Sequence, residues 1–155
     1  VSAVVKNTTS LGNKIVIVDE CGTYLPLGLA DMLSSESAEV HMVTPEPRVG
    51  GEAYKTLELM QIMPRLVKNG VVFHSETNLS KIEKSSVHTN FLWGGGEKVI
   101  QDVDTVVLAL YREAVDGLFK SLKDKVPELH LLGDAMAPRR PAQIIYDAEV
   151  LGRKI

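Results

Sequence analysis

The feature that most constrains this chain is a strand–helix–strand period near its start. Lys14 to Asp19 reads KIVIVD, with four consecutive β-branched residues between polar ends. An apolar run without alternation suits a strand covered on both faces. Glu20 to Thr23 reads as a turn. Leu25, Leu29, Met32 and Leu33 then recur at helical spacing. Pro26 fits the first turn of that helix, where its missing N–H is no loss. Ser34 to Ser37 ends the helix, and Glu39 to Thr44 (EVHMVT) is a second strand. Two strands joined by a helix favour parallel pairing with a right-handed crossover. This is the start of a dinucleotide-binding fold.

The pattern then changes. Pro45, Pro47, Gly50 and Gly51 make a loop. Thr56 to Lys68 predicts a second helix with Leu57, Met60, Leu66 and Val67 inward, kinked or split at Pro64 and stopped by Asn69-Gly70. Val71–Thr77, Lys81–Glu83, Val87–Trp93 and Lys98–Gln101 read as short alternating strands, with Gly94 to Gly96 as a turn. They predict an antiparallel meander. Thr105 to Leu110 (TVVLAL) returns to the buried-strand type. Val115 to Leu122 predicts a short helix and Leu129 to Leu132 a last strand. Pro141 to Ile155 predicts a closing helix with Ile144, Ile145, Ala148 and Leu151 on one side. Residues 1–12 form a turn-rich lead-in. The expected fold is an α/β, Rossmann-like domain of the glutathione-reductase NAD(P)-binding type. It has three layers, with a central parallel sheet and an antiparallel meander.

Composition narrows the function classes. At 155 residues the chain can bury one core of ordinary size. No apolar run is long enough to span a membrane. A formal charge of −3 argues against a nucleic-acid partner, which needs a basic face. Cys21 is the only cysteine, so the chain alone forms no disulfide, Cys-rich zinc site or Cys-ligated iron–sulfur cluster. A reducing, cytoplasmic setting is expected. The chain starts at Val1 without a charged-then-apolar signal segment, and reads as a piece of something larger.

The turn after the first strand is the first place to look for a ligand. A dinucleotide site wants Gly-x-Gly-x-x-Gly there, for a tight turn, close approach to the pyrophosphate and close helix packing. The sequence offers Asp19-Glu20-Cys21-Gly22-Thr23-Tyr24-Leu25-Pro26, with one glycine and two acids. A helix N-terminus favours an anion, but adjacent carboxylates oppose one. At the end of the second strand an acid would hold a ribose hydroxyl and an Arg a 2′-phosphate. Thr44 is neither, and Glu46 and Arg48 come late. Gly133-Asp134 follows a predicted strand and precedes a helix. Asp134 there either receives a ligand hydroxyl or caps the turn. His41, His74, His88 and His130 lie on separate segments, without the spacing of a helical zinc pair, and read as strand side chains. No nucleophile-elbow pattern surrounds a serine or Cys21. Arg139-Arg140 either grips phosphate or sits as an exposed loop pair.

Several segments in order carry a family resemblance. They are KIVIVDECGTYLPLGLADML, EVHMVTPEPRVG, DTVVLAL and VPELHLLGDAMAPRRPAQIIYDAEVLGRKI. Together they resemble the C-terminal part of the trimethylamine dehydrogenase and 2,4-dienoyl-CoA reductase family of flavoprotein oxidoreductases. The Gly-Asp-Ala-x-Ala-Pro-Arg-Arg stretch is the most specific. In that family a β/α barrel holds FMN, a cysteine cluster holds a 4Fe-4S centre, and an NAD(P)-type domain is inserted in an FAD-type domain. The resemblance implies that residues 13–126 are the NAD(P)-like domain and residues 127–155 a returning segment of the FAD-like domain. The remainder of the parent flavoenzyme, its barrel and the rest of the FAD-like domain, is the implied partner. Candidate nucleotide contacts are Asp19, Gly22, Tyr24 and Thr44 in the first unit, and Gly133, Asp134 and Ala135 near the end. The ligands they would take are ADP or FAD, or NAD(P). No catalytic or metal-binding residue is expected in the chain. The eroded glycine pattern, and Tyr111-Arg112 where the family usually has Gly-Arg, fit the amine-dehydrogenase branch. There the inserted domain need not take a nicotinamide. Two rival readings stay open: a free-standing, catalytically silent interaction module, and an active NAD(P)H-dependent reductase domain.

Overall fold

Strand β1 (Lys14–Asp19) is an inner strand of the parallel sheet. It is followed by α1 (Tyr24–Ser35), β2 (Glu39–Val43), α2 (Gly51–Lys55), α3 (Glu58–Lys68) and β3 (Val72–His74). Next come β4 (Thr77–Ile82), β5 (Ser86–Phe91), β6 (Glu97–Gln101) and β7 (Thr105–Ala109). These elements come from a computed structural model that describes residues 11–155. The predicted lead-in, residues 1–12, lies almost wholly outside them. The chain divides into two compact units, one ending at Leu110 and the other running from Tyr111 to Ile155.

In the first unit the strands run in the order β3-β2-β1-β7, all pairings parallel. The meander β4-β5-β6 forms a separate antiparallel sheet. It is the long crossover that carries the chain from β3 to β7. Side chains alternate across a strand, and β1 uses both faces. Ile15 and Ile17 join Leu27, Leu33, Ile62 and Leu66 of α1 and α3 in one core cluster. Val16 and Val18 join Val43, Val87, Ile100 and Val103 in the other, beneath the meander. Full burial of each such side chain contributes about 1.5–3 kcal/mol. The result is three layers, helices over parallel sheet over meander, as the sequence predicts.

The structure corrects several details. The helix expected from Thr56 begins instead at Glu58, after Leu57 takes a left-handed conformation with φ 65°. Its buried residues are Leu59, Ile62 and Leu66, while Leu57, Met60 and Val67 face solvent. Leu59, Ile62 and Leu66 recur at i, i+3 and i+7, and this stripe is the one that joins the core. Pro64 does not split the helix, which continues to Lys68. In α1, Leu29 and Leu33 are buried but Leu25 and Met32 are not; Pro26, Leu27 and Ala30 complete the inward face. Val71–Thr77 is not the first meander strand. Residues Val72–His74 extend the parallel sheet, and the meander starts at Thr77.

The second unit contains α4 (Gly117–Leu122), a 3-10 turn (Gly133–Ala135) and α5 (Pro141–Gly152). None of its side chains is buried. Leu129–Leu132, predicted as a strand, pairs with no other segment among the described residues. A strand exists only through its ladder, and residues 111–155 supply no neighbour. No helix among the described residues is long and apolar enough to cross a membrane.

Candidate functional site

Ligands of parallel α/β sheets bind beyond the carboxyl ends of the strands. In the first unit that end carries Asp19 after β1 and Thr44 after β2. Asp19 is fully buried. Its Oδ1 accepts the N–H of Gly22 at 2.8 Å and of Cys21 at 3.2 Å, while its Oδ2 has no well-aligned donor among the described residues. Burial pushes the Asp19 carboxyl above the ordinary range, against the opposing pull of the Gly22 and Cys21 hydrogen bonds. The Glu20 N–H is also used, donating to the Ala109 carbonyl at 3.1 Å.

Gly22 then turns with φ 60°, a conformation that favours glycine. Its carbonyl accepts the N–H groups of Glu52 at 2.9 Å and Ala53 at 3.0 Å. The turn therefore caps the N-terminus of α2. A side chain added at Gly22 would sit 3.2 Å from the Gly51 nitrogen. Gly50, with φ 68°, is held still more closely: a Cβ there would meet Leu27 Cδ1 at 2.6 Å. The loop ahead of α2 is thus packed onto the mouth of the β1–α1 turn. A pyrophosphate needs open space and unspent N–H groups at this point. Here the Cys21 and Gly22 donors serve Asp19, and backbone fills the approach. The residues present do not fit a dinucleotide pyrophosphate at this turn.

The other predicted positions are placed as follows. Tyr24 opens α1 and is exposed, with its ring against Gly28. Thr44 is fully buried with its polar groups engaged. Its hydroxyl accepts from the Glu46 N–H, its own N–H donates to the His74 carbonyl, and its carbonyl accepts from Thr77. Arg48 lies over the Tyr54 ring at 4.8 Å. In the second unit Gly133, with φ 67°, and Ala135 bracket Asp134 in the 3-10 turn. The Gly133 carbonyl accepts from Met136 and Ala137. Asp134 is exposed and its carboxylate meets no partner among the described residues. Arg139 is bound to Asp147 by an ion pair and to the Ala137 carbonyl. Among the described residues no three His, Cys, Asp or Glu are placed to hold a metal.

Two arrangements escaped the sequence reading. One is the α2 plug, whose only trace in the sequence is the adjacent pair Gly50-Gly51. The other is a contact between His41 and His74, which needs the β2–β3 register to become visible.

No protein-family profile matches the chain. Dimethylamine dehydrogenase of Hyphomicrobium sp. (strain x) is 25% identical over 94% of this chain and 23% of its own length. A probable N-methylproline demethylase of Rhizobium meliloti (strain 1021) is 27% identical over 89% of this chain and 21% of its own. The solved histamine dehydrogenase from Rhizobium sp. 4-9 superimposes with a TM-score of 0.88 and 24% identity, covering 99% of this chain and 25% of that one. The chain spans about a quarter of the length of these three proteins.

Proposed function

Because the chain is related to the trimethylamine-dehydrogenase-like oxidoreductases, we propose that it is the nucleotide-binding-type portion of such a flavoprotein, acting as a scaffold and not hosting the chemistry. In this reading residues 13–126 are the NAD(P)-type domain and residues 127–155 the returning segment of an FAD-type domain. The observation that carries it is the closed β1–α1 turn, where Asp19 and the α2 loop take the donors and the space a pyrophosphate would need. The parent's FMN and 4Fe-4S centre supply the redox chemistry when bound, and the single cysteine of this chain cannot ligate such a cluster. The bare second unit supports the same reading. Val115, Leu118 and Tyr111 are 82%, 73% and 72% exposed, and apolar surface of this kind is ordinarily covered. The remainder of the parent flavoenzyme is the proposed cover.

Asp134 favours a second reading within the same frame. Its exposed carboxylate, on a glycine-led turn ahead of α5, is free to accept the hydroxyls of an adenine nucleotide's ribose. Thermal-shift titration of the 155-residue chain with NADH, NADPH, FAD, ADP and AMP separates the cases. A ligand that binds only the native state at 100 times its Kd adds about 2.7 kcal/mol. The scaffold reading expects no shift with NADH or NADPH. A shift with ADP or FAD that Asp134→Asn abolishes establishes the nucleotide contact. A shift with NADH that Gly22→Val abolishes overturns the scaffold reading in favour of a reductase domain.

A further inference from the structure

Strands β2 and β3 bring together two histidines that are distant in sequence. His41 and His74 lie on the meander-facing side of the parallel sheet. His41 alternates with Val43 along β2, and His74 pairs with Val43 in register. His41 Nδ1 is 2.9 Å from His74 Nε2, and the rings stack 12° from parallel with centroids 5.3 Å apart. The contact continues outward. His41 Nε2 is 2.9 Å from Glu39 Oε1, which is 2.9 Å from Lys14 Nζ. His41 itself is buried.

The charges around the pair come from three strands. Lys14 stands on β1 and Glu39 on β2. From the meander, Lys98 of β6 shares the inward face of Thr89, its partner in register, next to the Val87–Ile100 core pair. Lys81, His88 and Glu97 occupy the opposite face of the meander. β4 enters beside the pair through neutral Thr77. Asp104, ahead of β7, accepts the backbone N–H groups of Asn13 and Lys14 at the far end of the line.

Proton accounting restricts what the pair can hold. A carboxylate only accepts, so the His41 Nε2 facing Glu39 carries a proton. Between Nδ1 and Nε2 there is room for one more. Either His74 donates to neutral His41, or cationic His41 donates to neutral His74. With both rings charged, two N–H groups would face each other across 2.9 Å and the bond would be lost.

We propose that His41 and His74 form a one-proton latch: the pair fastens β3 to β2 as long as a single proton lies between the two rings, with at most one proton added to the neutral pair, and a second added proton releases that edge and the entry to the meander. Burial, the charge of His41 and that of Lys98 hold His74 below the ordinary histidine range, which opposes the second added proton. The backbone beside the latch supplies reporters. The Thr44 N–H donates to the His74 carbonyl at 3.0 Å, and the Thr77 N–H donates to the Thr44 carbonyl at 2.9 Å.

The test follows ring-nitrogen NMR signals and amide exchange in the 155-residue chain as pH falls. The latch predicts two coupled titration steps more than about one pH unit apart. Across the lower step, protection of the Thr44 and Thr77 amides drops roughly tenfold. His74→Gln, which hydrogen-bonds without taking a proton, removes that drop, and His88→Gln leaves it in place. Independent single-step titration of both rings overturns the proposal, as does protection of the two amides that ignores the lower step. If His74→Gln fails to fold, the wild-type titration decides alone.

Discussion

Residues 11–110 and residues 111–155 solve the problem of stability in opposite ways. The first stretch covers a parallel sheet on both faces and buries β1 almost completely. The second has two helices, a 3-10 turn and no buried side chain. Both contain amphipathic segments, so pattern alone does not separate them. The difference lies in whether the apolar face meets a partner inside the chain. Most helix stability in proteins comes from such packing and little from propensity. The first unit therefore carries its own reasons to fold, whereas residues 111–155 bury no side chain that would hold their helices in place.

The sharpest way to break this contrast is to truncate one apolar side chain on each side of it. Leu66→Ala is expected to cost about 2–5 kcal/mol in urea denaturation, because a buried leucine leaves a cavity. Ile145→Ala, at a residue 67% exposed, is expected to stay within about 0.5 kcal/mol. An equal loss at both positions would end the comparison.

Next in size is the turn. Asp19→Ala leaves the buried Gly22 N–H without its acceptor, and is expected to cost roughly 1–3 kcal/mol. Asp19→Asn keeps an acceptor and removes the buried charge. Burial raises the folded carboxyl above its unfolded value, so its contribution is largest at low pH. That contribution is lost as pH rises through the folded value. Asp19→Asn should therefore exceed the parent in stability at neutral pH and fall level with it in acid, as read from denaturation midpoints. A neutral-pH loss as large as that of Asp19→Ala would mean that the charge itself is needed.

The smallest expected effect lies on the outer face of the meander. His88 Nδ1 is 2.8 Å from Glu97, and its Nε2 lies 3.4 Å from Glu83, an ion-pair distance without hydrogen-bond alignment. The Glu97 hydrogen bond, aided by Glu83, raises the His88 pKa above the ordinary range. Its contribution is present in full below the unfolded histidine value and is lost as pH rises through the folded one. His88→Gln should flatten that alkaline decline. Added salt should shrink the difference between the two proteins, because the Glu83 and Glu97 carboxylates are exposed.

The architecture is legible in the sequence where one strand's composition decides the matter. KIVIVD and TVVLAL announce strands covered on both faces, and EVHMVT and the crossover helix follow. It is not legible where position depends on a neighbour. The start of α3 hinged on Leu57 adopting a left-handed conformation, which no local pattern announces. Leu129–Leu132 has strand composition but no ladder among the described residues. For the site, the eroded glycine pattern was legible and so was the excess of carboxylates. Their geometry was not, because Asp19 turns inward to serve its own loop, and the plug comes from the far side of α1 and β2.

That plug also sets limits on what this lineage can become. Placing glycines at Cys21, Thr23 and Pro26 would restore the look of a dinucleotide fingerprint and leave the groove shut, since the Gly22 carbonyl would still be tethered to Glu52 and Ala53. Removing the loop first would strip α2 of its cap before any ligand could compensate. Each change alone is unrewarded, and they must arrive together on two separate stretches of chain. The closed turn behaves as an evolutionary ratchet, easier to enter than to leave.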